Sequence, residues 1–91
     1  GLVAYFISDT EVEIRHIAVR DNMRGNAVGR SLVERLISLL SSKSANKITV
    51  NARSTSEGFY AKLGFVLVGE RFEHHLFTKY GISIQPMYLK L

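Results

Sequence analysis

The chain has 91 residues, 46% of them hydrophobic and 22% charged, with a net charge of +4 and a pI near 9.7. That composition excludes a disordered chain and predicts one compact domain, residues 1–91, with a thin core that ligand or subunit binding would help to stabilise. The absence of cysteine excludes a disulfide framework, a thiolate zinc site and a covalent thioester on a cysteine, and the positive charge favours an anionic partner.

Leu2 to Ser8 is rich in β-forming residues, Asp9-Thr10 suits a turn, and Glu11 to Val19 alternates Val12, Ile14, His16 and Ala18 against charged neighbours, which predicts a β-hairpin. His16, on an apolar strand face, reads as a hydrogen-bonded core histidine. From Gly29 the period becomes helical, with Leu32, Val33, Leu36, Ile37, Leu39 and Leu40 on one stripe as far as Ser42. Lys47 to Arg53 is extended again, with Ile48, Val50 and Ala52 on one face and Thr49, Asn51 and Arg53 on the other. A second helix follows, with capping-box spacing between Ser54 and Glu57 and with Gly64 placed to close it in a left-handed conformation. Val66 to Phe72 and Ile82 to Leu91 are further strands, and Pro86 suits an edge or a bulge better than a sheet centre. The order ββαβαββ implies a parallel crossover, hence an α+β fold with a mixed sheet and flanking helices.

The segment from Val19 to Arg30 joins a strand to an amphipathic helix through small residues. Unpaired amides at a helix start, together with the helix dipole, form an anion site, and Gly25 and Gly29 are either part of such a cradle or turn glycines. Neither a Walker loop nor a Rossmann fingerprint fits: Gly25 and Gly29 enclose three residues and are followed by Arg30-Ser31.

The run VRDNMRGNAVGRSLVERL resembles the acetyl-coenzyme A loop of the GNAT superfamily of N-acetyltransferases, in which Arg or Gln, two residues, Gly, one residue and Gly or Ala precede a leucine-rich helix. Arg24, Ala27 and Gly29 occupy the defining positions, with Ala27 where glycine is usual. A second run, VNARSTSEGFYAKLGF, resembles the family's next strand and helix. The resemblance covers residues 2–91 and implies a GNAT-like mixed sheet lacking the usual N-terminal strand-helix-helix-strand, the part of the family fold that builds much of the acceptor site. A short or N-terminally truncated member is the expectation, either catalytic or a non-catalytic CoA-binding or assembly module.

The resemblance also implies the site. Acetyl-CoA is the expected cofactor, held by Ile17, Ala18 and Val19 along the pantetheine arm, by Arg24, Gly25, Asn26, Ala27, Val28, Gly29 and Arg30 at the diphosphate, and by Asn51 and Tyr60. Acetyl transfer needs a neutral amine, whereas a lysine-like amine is about 99.9% protonated at pH 7, so a base is required, and the departing thiolate benefits from a proton donor. Tyr60 is the candidate donor, or else a helix tyrosine beside Phe59. Glu13 is the candidate base, or else a surface carboxylate paired with Arg15 or a lysine. An unidentified amine is the acceptor, attacking directly in a ternary complex. His74 and His75, as strand neighbours, would point to opposite faces and chelate poorly, so an exposed or loop pair is expected and no metal. An apolar first strand without its neighbour predicts a homodimer. No apolar run approaches the roughly 20 residues that span a bilayer, residues 1–8 lack a signal-peptide layout, and the basic residues are scattered, so a cytoplasmic protein is expected, with neither membrane nor nucleic acid as partner.

Overall fold

The computed structural model describes residues 1–17 and 26–91. The elements in order are β1 (Leu2–Phe6), β2 (Glu11–Ile17), α1 (Asn26–Leu40), β3 (Lys47–Arg53), α2 (Glu57–Lys62), β4 (Val66–Leu67), β5 (Phe72–Glu73), a 3-10 turn (Thr78–Tyr80) and β6 (Ser83–Lys90). The sheet runs β1-β2-β3-β6-β4, with β5 also on β6. β2 and β3 are parallel and the other pairs antiparallel. The mixed α+β sheet expected from the chain is therefore present.

β4 is parallel to β3, because both run antiparallel to β6. The connections β2-α1-β3 and β3-α2-β4 therefore step across the sheet in one direction, and right-handed crossovers put both helices on the same face. One core unites them there. Val33 and Leu40 of α1 and Tyr60 of α2 cluster with Val12, Ile14, Ile48, Val50, Ala52, Phe65 and Met87. Because paired residues project to the same side, one row across the sheet reads Ala4, Ile14, Val50, Met87 and Leu67, and the next reads Tyr5, Glu13, Thr49, Tyr88 and Val66. The first row faces the helices. The second faces away from them.

Several expectations need correction. α1 begins at Asn26, three residues before the periodicity shows, because its first turn carries few apolar residues. Leu39 is the exception on its apolar stripe, since it is exposed. Ser54 and Glu57 form no capping box: the cap is Ser56, Ser54 Oγ accepts the Ser83 N–H, and Glu57 pairs with Arg71. Gly64 closes α2 as expected, at φ +99°, with Gly64 N–H on Ala61 O and Phe65 N–H on Tyr60 O, a Schellman pattern sealed by the edge-on rings of Tyr60 and Phe65.

Pro86 lies in the sheet interior instead of at an edge. Val68 N–H donates to Pro86 O, so the carbonyl and the ring nitrogen of Pro86 both face β4 and β5. The missing donor therefore falls where the partner strand is broken, between Leu67 and Phe72. Gly69, at φ +71°, bends the chain there, and the buried Gln85 amide bridges the break by donating to Gly69 O and Pro86 O. The single strand expected over residues 66–72 is thus two short ones.

Candidate active site

The parallel pairing of β2 and β3 ends at Ile14 and Val50, although both strands continue for three more residues. Beyond that point β2 stays with β1 and β3 stays with β6, so residues 15–17 and 51–53 diverge. The register shows which groups face the gap. Since Pro86 turns its polar atoms away from β3, its partner Asn51 turns its own N–H and C=O away from β6 and toward β2, where the N–H completes the last rung on Ile14 O and the C=O is left facing the gap. An extended molecule carrying amides would find unpaired main chain there.

α1 starts on the helix-bearing side of the same sheet. Its first turn contains no acidic residue, so nothing there neutralises the positive end of the helix. Ala27 is exposed and Val28 half-buried, while Arg30 is exposed beside Glu34 at 3.7 Å, a surface pair of small energetic weight. The Arg30 amide points back to the carbonyl of Asn26 in a regular helix, so the free amides belong to the earlier positions. Gly29 is buried, and a Cβ there would lie 3.1 Å from the Phe59 ring. Glycine at 29 is therefore required by the approach of α2 to α1. The expectations placed on Ala18, Val19, Arg24 and Gly25, and on the side chain of Asn26, lie outside the described residues.

Tyr60 sits on α2 at only 7% exposure, with Phe59 and Phe65 edge-on to it at 5.1 and 5.3 Å. Burial pushes its phenol above the ordinary tyrosine value, while the Arg53 charge pulls the other way. The group is therefore held protonated at neutral pH, in the state of a proton donor. Arg53 ends β3 and lies with its guanidinium 4.6 Å over the Phe77 ring. Sequence reasoning assigned Arg53 no role; its place two residues after Asn51 on the same strand face was the available signal.

Glu13 is not free. Its Oε2 accepts both the Tyr5 hydroxyl, at 3.3 Å, and an Arg15 N–H, at 3.2 Å, and Arg15 lies over the Tyr5 ring. His16 is exposed, not a core residue, because it stands past the end of the β2-β3 pairing. His74 and His75 lie outside the strands, as the expected loop pair, with rings stacked 4.7 Å apart and His74 Nδ1 accepting the Leu76 N–H. Among the described residues no cluster of His, Asp or Glu is arranged to hold a metal.

A sequence model of the acetyltransferase (GNAT) domain matches residues 1–91. The chain belongs to the GNAT family. Solved structures agree on the fold of this GNAT domain. Ard1 from Thermoplasma volcanium superposes with a TM-score of 0.81 at 22% identity, over 99% of this chain and 61% of that one. The ribosomal-protein-S18-alanine N-acetyltransferase from Escherichia coli gives 0.82 at 22% identity, over 98% and 59%. A GNAT family acetyltransferase from Elizabethkingia anophelis, solved with acetyl-CoA bound, gives 0.80 at 19% identity, over 99% and 67%. The GNAT domain thus spans about 60% of the length of the first two of these. Among its described residues no helix is long and apolar enough to cross a membrane.

Proposed function

We propose that this domain binds acetyl-CoA and transfers the acetyl group to an amine by direct attack in a ternary complex. The observation that carries the proposal is the divergence of β2 and β3 past Ile14 and Val50, which leaves the main-chain carbonyl of Asn51 facing a gap of the kind an amide-bearing arm fills. Acetyl-CoA supplies an activated thioester, and the free amides of the α1 start suit its diphosphate. Asn51 and Ile17 line the two sides of the gap. Tyr60 keeps its proton at the phenolic oxygen and would give it to the departing thiolate, while the amine loses its proton to a base. Glu13 fills that base role only if the acceptor displaces Tyr5 or Arg15 from its carboxylate.

Calorimetry tests the cofactor site. The informative variant is Ala27→Glu, because residue 27 is exposed, whereas any side chain at Gly29 also disturbs Phe59. Negative charge at the helix start should weaken CoA binding about 10-fold or more without unfolding the domain. Unchanged affinity would remove the diphosphate from this helix end.

One observation favours a second reading, a CoA-binding or assembly module without turnover: the candidate base is already engaged by two partners. Assay of acetyl-CoA consumption with a panel of amines separates the two. We also propose a homodimer through β1, an edge strand whose Val3, Tyr5 and Phe6 are about half exposed. Light scattering at tens of micromolar should give twice the 10.2 kDa chain mass, and a clean monomer would refute this.

A further inference from the structure

We infer that Arg53, its guanidinium over the Phe77 ring at the end of β3, selects acceptor amines that also carry a carboxylate. The inference rests on the acetyl-transfer reading above and concerns the acceptor side of the same gap. Both helices cover one face of the sheet, so an acceptor reaches the gap from the other face, the one carrying Thr49, Asn51 and Arg53.

The charges on that face are distributed unevenly. Lys47 meets Glu11 at 3.2 Å, and Arg15 meets Glu13 at the same distance. On the helix side, Arg71 likewise meets Glu57 and donates to Ser83 Oγ. The Arg53 guanidinium has no carboxylate or other hydrogen-bond acceptor among the described residues, and it lies 4.6 Å from the centre of the Phe77 ring. Beside Phe77 stand His74, with ring centres 5.4 Å apart, and His75 stacked on His74. The end of β3, where the gap opens, therefore carries a cation without a carboxylate partner among the described residues, close to Phe77 and through it to two imidazoles.

Stacking on an aromatic ring fixes the guanidinium plane without using its N–H donors, which radiate along the plane's edge. A fork held in this way matches a carboxylate with two parallel hydrogen bonds, a recognition that a mobile lysine does not reproduce. Arg53 stands two residues beyond Asn51 on the same strand face, so an anion held there would lie at the end of the gap. The acceptor that fits is an amine with a carboxylate a few bonds away.

The test uses matched pairs of amines, ω-amino acids with one to four methylene groups and their carboxamides, assayed with acetyl-CoA on the wild type and Arg53→Gln. The acid-to-amide ratio of kcat/KM should favour the acid in the wild type and fall about 10- to 100-fold in Arg53→Gln, with the KM for acetyl-CoA unchanged. Phe77→Leu keeps the charge but removes its platform, and should shift the ratio the same way by less. Arg53 is exposed, so the variant should melt like the wild type. An equal ratio in wild type and variant overturns the inference, and so does a common rise in the acetyl-CoA KM with every amine, which would move Arg53 to the cofactor. If CoA binds but no amine turns over, binding of the same pairs to the CoA-loaded protein decides: acid preference lost in Arg53→Gln supports the assignment, and no preference refutes it. Failure to bind CoA would instead overturn the acetyl-transfer reading, and this inference with it.

Discussion

The two faces of the sheet are built from alternate residues of the same strands, yet they do different work. On the helix side the row Ile14, Val50 and Met87 is closed to solvent, while across the strand the row Tyr5, Glu13, Thr49 and Tyr88 is polar and partly open. One face holds the fold together. The other, with the gap at its end, keeps the chemistry accessible, and its ion pairs, exposed as they are, contribute little to stability.

Substitutions at adjacent positions of β3 are the sharpest way to break that contrast. Ile48 has no exposed surface, so Ile48→Ala should cost about 2–5 kcal/mol in urea unfolding, whereas Thr49→Ala, one residue on and facing the other way, should cost about 1 kcal/mol or less. Similar costs at both sites would mean that the second face is covered in solution, as a dimer or a preceding segment would cover it.

Tyr60 belongs to the buried face by packing, and the proposed function gives it a role at the gap. If the domain is catalytic, Tyr60→Phe should lower turnover about 10- to 1000-fold with CoA affinity nearly unchanged. Equal turnover would leave Tyr60 as a core residue only. The same variant isolates a pH effect. With its folded-state pKa raised above the unfolded value, Tyr60 contributes stability that is fully present below about pH 10 and is lost as pH rises through the folded value. Wild-type stability should therefore fall more steeply above about pH 10 than that of Tyr60→Phe, as denaturant midpoints would show.

An effect smaller than that at Ile48 is expected at the joint between α2 and the sheet. Gly64→Ala should cost about 1–2 kcal/mol in a thermal melt, because φ is +99° and the new methyl would meet only Leu89 at ordinary contact distance. A neutral result would mean that the turn after α2 relaxes without disturbing the core beneath it.

How much of this was legible in the residues follows from how local each signal is. The alternation over Lys47 to Arg53 separated the two faces correctly, and Gly64 marked a helix end, because both depend on neighbours within a few positions. Pro86 misled, since its cost depends on which side of β6 its nitrogen faces and on where the partner strand breaks. His16 misled in the same way: its alternation is apolar, but pairing and helix cover stop before reaching it. The glycine at 29 was noticed for its position in a loop motif, while its packing against Phe59 links residues thirty apart and no short window contains it. The proposal of Tyr60 and Asn51 as site residues came from the family's pattern, whereas the contact of Arg53 with Phe77 joins two segments that no motif connects.

The bridge at Gln85 has a consequence for motion. Where the proline removes a rung of the ladder, a side-chain amide stands in for main chain, and the outer strands it serves are only two residues long each. A backbone rung is protected by its neighbours on both sides, but this one opens with a single rotamer change. Amide hydrogens of β4 and β5 should therefore exchange with deuterium through local opening, well ahead of those in β3, and the far margin of the sheet would breathe independently while the strands flanking the gap stay closed.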